Sequence, residues 1–376
     1  MTMSHTSNIY QLGVKELWSL RRDSIMLILI AYTFTVAIYI AATALPDSLH
    51  KAVIAIVDED SSPLSGRITS AFYPPHFMSP IMVSLKEVDP GLDAGKFTFA
   101  LDIPPEFQRD VLAGSSPTIQ LNVDATRMSQ AFTGSSYIQQ IVLSEVNEFI
   151  QHYRGSATPP VELAMRVRFN PSLAPAWFGS LMELVGHITM LSVILTGAAL
   201  IREREHGTIE HLLVMPVTAG EIMLSKVWSM GLVVLLASAF ALSFIIQGLL
   251  QVPIEGSIAL FLFCATLHLF ATTSMGIFMA TLARTMPQFG LLVVLVLLPM
   301  EVLSGGSTPR ESMPEFAQNI MLVAPTTHFV SLAQAILFRG AGLEVVWPQM
   351  FALVVIGSVL FILSLRRFRK SLSSLA

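Results

Sequence analysis

Charge is scarce in this chain. Of its 376 residues only 13% are Asp, Glu, Lys or Arg, while 53% are hydrophobic; a soluble domain carries about a quarter charged residues. That balance excludes an ordinary soluble protein. Cysteine is nearly absent too: Cys264 stands alone in an apolar run, so no disulfide forms within the chain. Surplus positive charge is lacking, since 22 basic and 26 acidic residues leave a net charge of −4. Overall charge therefore gives no case for nucleic-acid binding. Catalytic signatures are missing as well. No Gly-x-Ser-x-Gly, His-Glu-x-x-His or Cys/His metal pattern occurs. The run Gly91-Leu-Asp-Ala-Gly95-Lys96 imitates a phosphate loop, but it is one residue short and Phe97 replaces the required Ser or Thr. His206 and His211 are five apart and do not share a helical face. No catalytic residue, metal site or bound cofactor is expected.

What the chain does have is long apolar runs. A bilayer core of about 30 Å needs about 20 mostly apolar residues in a helix. Six stretches qualify: Ser24 to Leu45, about Ala176 to Ile201, Val227 to Leu250, Ser257 to Ala283, Gln288 to about Leu303, and about Val346 to Leu365. The four tryptophans, Trp18, Trp177, Trp228 and Trp347, all fall near predicted span ends, where the indole suits the headgroup level. Lys15, Arg21, Arg22, Arg202, Arg204, Lys226, Arg284, Arg366, Arg367, Arg369 and Lys370 all fall on one side of a six-span topology. The positive-inside rule then makes both termini cytoplasmic. Ala42-Thr43-Ala44 mimics a signal-peptidase site, but the preceding apolar run exceeds a signal peptide's core, so the first span is expected to be retained.

Residues 8–22 suit either an ordinary positively charged flank or an interfacial helix, the latter with Ile9, Leu12, Leu17, Trp18 and Leu20 on the apolar side and Lys15, Glu16, Arg21 and Arg22 on the polar side. Residues 46–175 have the composition of an external α/β domain. KAVIAIVDED, IMVSLKEV, KFTFALDI and TIQLNVDA read as strands, and about Met128 to Tyr153 as a long helix. Asp58, Glu59 and Asp60 read either as a cation site or as solvated strand-end acids. Residues 304–345 read as helical pieces broken at Pro325, too short to span and fitting re-entrant helices buried against protein.

Two regions stand out for function. Glu183 and His187, four apart on the second span, share a face, and Glu301 lies beside Pro299 on the fifth. Ionisable groups in hydrocarbon usually line the bundle interior or a wet pathway. The link IREREHGTIEHLLVMPVTAGEIMLSK after the second span carries an amphipathic stretch between Gly207 and Pro216, which reads from the residues alone either as a solvated loop or as a surface for docking a partner.

Four passages carry a family resemblance: IVDEDSSPLSGRI, ALDIPPEFQRDVLAG, EREHGTIEHLLVMPVTAGEIMLSK and SGGSTPRESMPEF with the later APTTHF. In order and spacing they resemble the permease of a second-class ABC exporter, the group that includes drug, polysaccharide and lipid-linked exporters. More narrowly they are similar to bacterial inner membrane transport permeases encoded beside a membrane-fusion protein and an ATPase. After Leu303-Ser-Gly-Gly the chain has Ser-Thr-Pro, where relatives often carry an aromatic residue before the proline.

The resemblance implies an all-α membrane fold: a six-helix bundle with an inserted periplasmic α/β domain and re-entrant helices before the last span. It implies ATP on a separate ATPase subunit, a second permease copy or paralogue, and a periplasmic membrane-fusion protein and outer-membrane channel as further partners. Glu203, Glu205, Gly207, Thr208, Ile209, Glu210 and Pro216 would form the coupling region, and the second and fifth spans would line the path of a small amphipathic compound. A receptor or scaffold, or a lipid or ion exporter, would share the topology.

Overall fold

In this computed structural model, residues 5–44, 52–124, 128–151, 175–207, 216–283, 285–306, 308 and 310–373 are described. The chain divides into two compact units, one of residues 1–45 with 167–376 and one of residues 46–166.

The first unit opens with α1 (His5–Arg22). The chain turns at Asp23, whose side chain accepts from the backbone N–H of Met26 at 3.1 Å and so caps α2 (Ser24–Tyr32). A π-helical stretch, Thr33–Ala37, leads into α3 (Ile38–Ala44). Together these form an apolar rod long enough to cross a membrane.

The second unit is a four-stranded sheet in the order β2-β1-β3-β4. β1 (Ile54–Asp58) is followed by α4 (Pro63–Ser70), the two-residue β2 (Ile81–Met82), α5 (Leu85–Asp93), β3 (Phe99–Ile103), α6 (Phe107–Leu112), β4 (Gln120–Val123) and α7 (Met128–Gln151). β1 runs parallel to β2 and β3, and β4 is antiparallel to β3. Strand alternation sorts the core onto two faces. Ile54, Ile56, Phe99, Leu101 and Ile103 pack with Leu64, Ile68 and Phe107 of α4 and α6 and with Ile138 of α7, whereas Ala55, Val57 and Ala100 pack with Val88 of α5. The segment 81–88, expected as one strand, yields a strand only at its start. Ser84 and Glu87 form a capping box, with the Ser84 N–H donating to Glu87 Oε2 at 2.8 Å, and this starts a helix instead. The Asp58 side chain accepts from Asp60 N, Ser61 N and Ser65 Oγ, and Asp60 accepts from Gln108 N, so these two acids tie a turn.

The first unit resumes with α8 (Pro175–Glu205) and α9 (Ala219–Phe240), the latter extended by π-helical Ala241–Leu249. Then come α10 (Ile258–Leu282), α11 (Met286–Val302), α12 (Glu315–Met321), α13 (Pro325–Ala333), π-helical Gln334–Phe338, and α14 (Leu343–Ser373). Among the described residues five helices are long and apolar enough to cross a membrane, or six if the pair Glu315–Met321 and Pro325–Phe338, bent by 93°, counts as one. α11, at 17 residues, is the shorter apolar helix, and the bent pair falls where re-entrant pieces were expected. This is a helical membrane protein. α8 is enclosed along most of its length, while the first rod and α14 are largely exposed. Their outward side chains, such as Ile25, Ile28 and Phe351, are apolar, as suits a lipid surface.

Hydroxyls hold the interior helices together. Thr189 Oγ1 lies 2.8 Å from His268 Nε2, Ser192 donates to Thr272 at 2.6 Å, and Ser364 donates to the Ser274 carbonyl at 2.7 Å. His268 also stacks on Phe329, 4.0 Å between ring centres.

Phe99 is wholly buried in the sheet unit, so Phe99→Ala is expected to destabilise that unit by about 3–5 kcal/mol. Amide exchange across 54–58 and 99–103 in the full chain should accelerate sharply. Unchanged exchange would refute the packing described.

Candidate functional site

The three ionisable groups expected in the membrane come together. Glu183 and His187 lie a turn apart on α8, with His187 Nε2 3.3 Å from Glu183 Oε1. Glu301, near the end of α11, reaches the same place: a Cβ added at Gly186 would fall 2.6 Å from Glu301 Oε1. The glycine gives that carboxylate its room. Both carboxylates line a partly open cavity of about 270 Å³, whose other walls include Phe178, Met182, Met190 and Thr326. Phe178, Met182 and Met190 come from α8 and Thr326 from α13. Among the described residues no Lys or Arg lines it. Arg310, next to the loop residue Gly305, donates to the Gln318 carbonyl instead.

At the other end of α8 charges gather. Lys226, at the head of α9, is 1% exposed and donates to Glu16 of α1 at 2.9 Å. It also lies 2.7 Å from Glu203 of α8. Lys15 donates to Glu203 at 2.7 Å. Arg202 pairs with Asp23, the residue that also caps α2. Arg204 donates to the Ala283 carbonyl at 2.8 Å and to Ser371 Oγ at 3.2 Å. Burial raises the Glu16 carboxyl above its ordinary range, and the Lys226 ammonium opposes that rise.

α1 is fastened along α9 by further contacts. Glu221 takes hydrogen bonds from Asn8 at 3.1 Å and lies 2.9 Å from His5 Nδ1; Trp228 donates to the Ile9 carbonyl at 3.1 Å. The expected face of α1 thus needs correcting. Glu16 turns inward, because a cation waits there, while Trp18 points outward beside Arg21. Trp228, expected at a span end, lies within the apolar helix Ala219–Leu249 and packs on α1.

Of the coupling residues, Glu203 is buried and committed to Lys15 and Lys226. Glu205 is exposed and accepts from the Met286 N–H at 2.9 Å, so it satisfies an orphan donor at the head of α11. Gly207, with φ +68°, closes α8 in the left-handed region that favours glycine. Pro216 is exposed, just before α9. Thr208, Ile209 and Glu210 lie outside the described residues.

Residues 23–366 match the family described as ABC-2 family transporter protein. The chain belongs to that family. Inner membrane transport permease YhhJ of Escherichia coli K12 is 61% identical over 374 residues, 100% of each chain. Probable multidrug ABC transporter permease YbhR of the same organism is 29% identical over 346 residues, 91% of this chain and 93% of its own. Probable multidrug ABC transporter permease YbhS, also from that organism, is 26% identical over 295 residues, covering 77% and 76%. As an ABC-2 permease the chain implies an ATPase partner and permease pairing. No group of three or more potential metal ligands occurs among the described residues of this family member.

Sequence reasoning missed the cluster around Lys226, which it read only as a topology marker. The available signal was Lys226 at a predicted span border, with Glu16 and Glu203 near two other borders. Lys226→Met is expected to destabilise the protein by about 3–5 kcal/mol, because it removes the buried cation that Glu16 and Glu203 share and leaves them to the half-exposed Lys15. Thermal unfolding in detergent should show a lower midpoint, with Lys226→Arg falling less. An unchanged midpoint for Lys226→Met would count against the cluster.

Proposed function

We propose that this chain is the permease subunit of an ATP-driven exporter, acting in a bacterial inner membrane with both termini cytoplasmic. Two permeases, identical or paralogous, would assemble with two ATPase subunits. The carrying observation is the reach of α8: Glu183 and the cavity lie near one end, and Glu203, Glu205 and Gly207 near the other. Twenty residues of helix separate Glu183 from Glu203, about 30 Å and so about one bilayer core.

α11 supports counting six spans. It starts at Glu205 and ends with Glu301 against Gly186, so it covers nearly the depth of that part of α8, roughly 25 Å. The gathering of Lys15, Arg202, Arg204 and Lys226 at one end of the bundle supports a cytoplasmic assignment for that end. Residues 46–175 would then be periplasmic and would gate the exit or meet a membrane-fusion protein and an outer-membrane channel. Similarity to YbhR, a probable multidrug permease, favours a small amphipathic substrate.

In this mechanism the ATPase presses on residues 202–226. Glu203 would feel the motor indirectly through its lysines, and Glu205 would pass movement to α11. Glu205→Ala combined with Glu210→Ala is expected to lower transport per ATP several-fold, while insertion and assembly persist. Proteoliposomes holding the chain and its ATPase provide the measurement. Wild-type coupling in the double variant, or failure of any ATPase to co-purify, would sink the reading.

A further inference from the structure

We infer that the cavity between α8, α11 and α13 selects organic monocations with an apolar body. The inference rests on reading this cavity as the transport pathway and names the substrate class it would pass. Two carboxylates, Glu183 and Glu301, share one space whose lining among the described residues includes no Lys or Arg. His187 Nε2 lies 3.3 Å from Glu183 Oε1. Thr326, 5% exposed, lines the same space, and its Oγ1 has no hydrogen-bond partner among the described residues. A buried hydroxyl left unpaired is costly unless something else occupies the site.

The remaining walls say what surrounds the charge. Phe178 offers a ring, and a cation near an aromatic face gains attraction from its quadrupole. Met182 and Met190 are flexible, polarisable side chains that adapt to different apolar shapes. Such a lining suits ligands whose bodies vary while the charge stays the same. A metal ion fits less well. Hard cations take six to eight oxygens at short range, and no cluster of three metal-binding side chains occurs among the described residues. Most of the lining is apolar, which also disfavours a strongly hydrated ion.

The test uses the full chain in nanodiscs with tetraphenylphosphonium and its anionic isostere tetraphenylborate. Specific binding is taken as the excess of wild type over Glu183→Gln/Glu301→Gln discs, which removes lipid partitioning. The phosphonium should bind saturably, and each single Gln variant should weaken it about ten-fold. Gly186→Ala intrudes on the Glu301 carboxylate alone and should weaken binding as Glu301→Gln does. The borate should show no excess. Equal phosphonium binding by wild type and the double Gln variant, or an equal excess for the borate, overturns the selectivity. ATP-driven uptake into inverted vesicles separates the two readings. Transport of an uncharged dye without phosphonium binding overturns cation selectivity and leaves the exporter. Phosphonium binding without ATP-driven transport of any probe does the reverse.

Discussion

One ammonium group organises the charged end of this protein. Lys226 is fully enclosed, and it is held by Glu16 from α1 and Glu203 from α8. An ammonium taken out of water is strongly unfavourable unless opposite charges meet it at good geometry. That requirement fixes three elements against one another: the helix before the first span, the end of α8 and the head of α9. Asp23 and Arg202 repeat the theme at the corner where α1 turns into α2. The end of α8 and the first two turns of α9 are therefore both anchored.

α8 carries this arrangement to the far end of the bundle. It is the most enclosed of the long helices, and its neighbours grip it with hydroxyls and His268 rather than with apolar contact alone. Among lipid-solvated helices apolar contact gives little preference for one partner over another, so such hydrogen bonds and small-residue notches set the packing. Gly186 is one such notch, and Glu301 occupies it. α11 is linked to α8 at both ends: Glu205 at its head and Gly186 near its tail.

Much of this was legible in the sequence, and the limits have physical reasons. The apolar spans follow from length and composition, since a bilayer demands both. Pro325 marked the break in the segment before the last span, and Glu183 and His187 declared their shared face by spacing. The meeting of Glu183 with Glu301 could be named as a pair of candidates but not as a contact, because helix periodicity does not say which neighbour a face meets. Glu16 misled for the opposite reason. An amphipathic pattern assigns a charge to water by default, and only a cation far along the chain reverses that. Ser84 and Glu87 misled through local chemistry, since a run that reads as a strand by residue type held a capping box that starts a helix.

The ion pair between Glu16 and Lys226 joins residues 210 positions apart. A ribosome adding about 5–20 residues per second needs about 10–40 s to cover that stretch. During that interval the opening helix has been made and its cation has not. Its exposed Tyr10 and Trp18 and its basic end suit it to wait at the lipid headgroups with Glu16 in water. The charged end can close only after α9 emerges, so the first helix to be synthesised stays unlocked until more than half of the chain has been made.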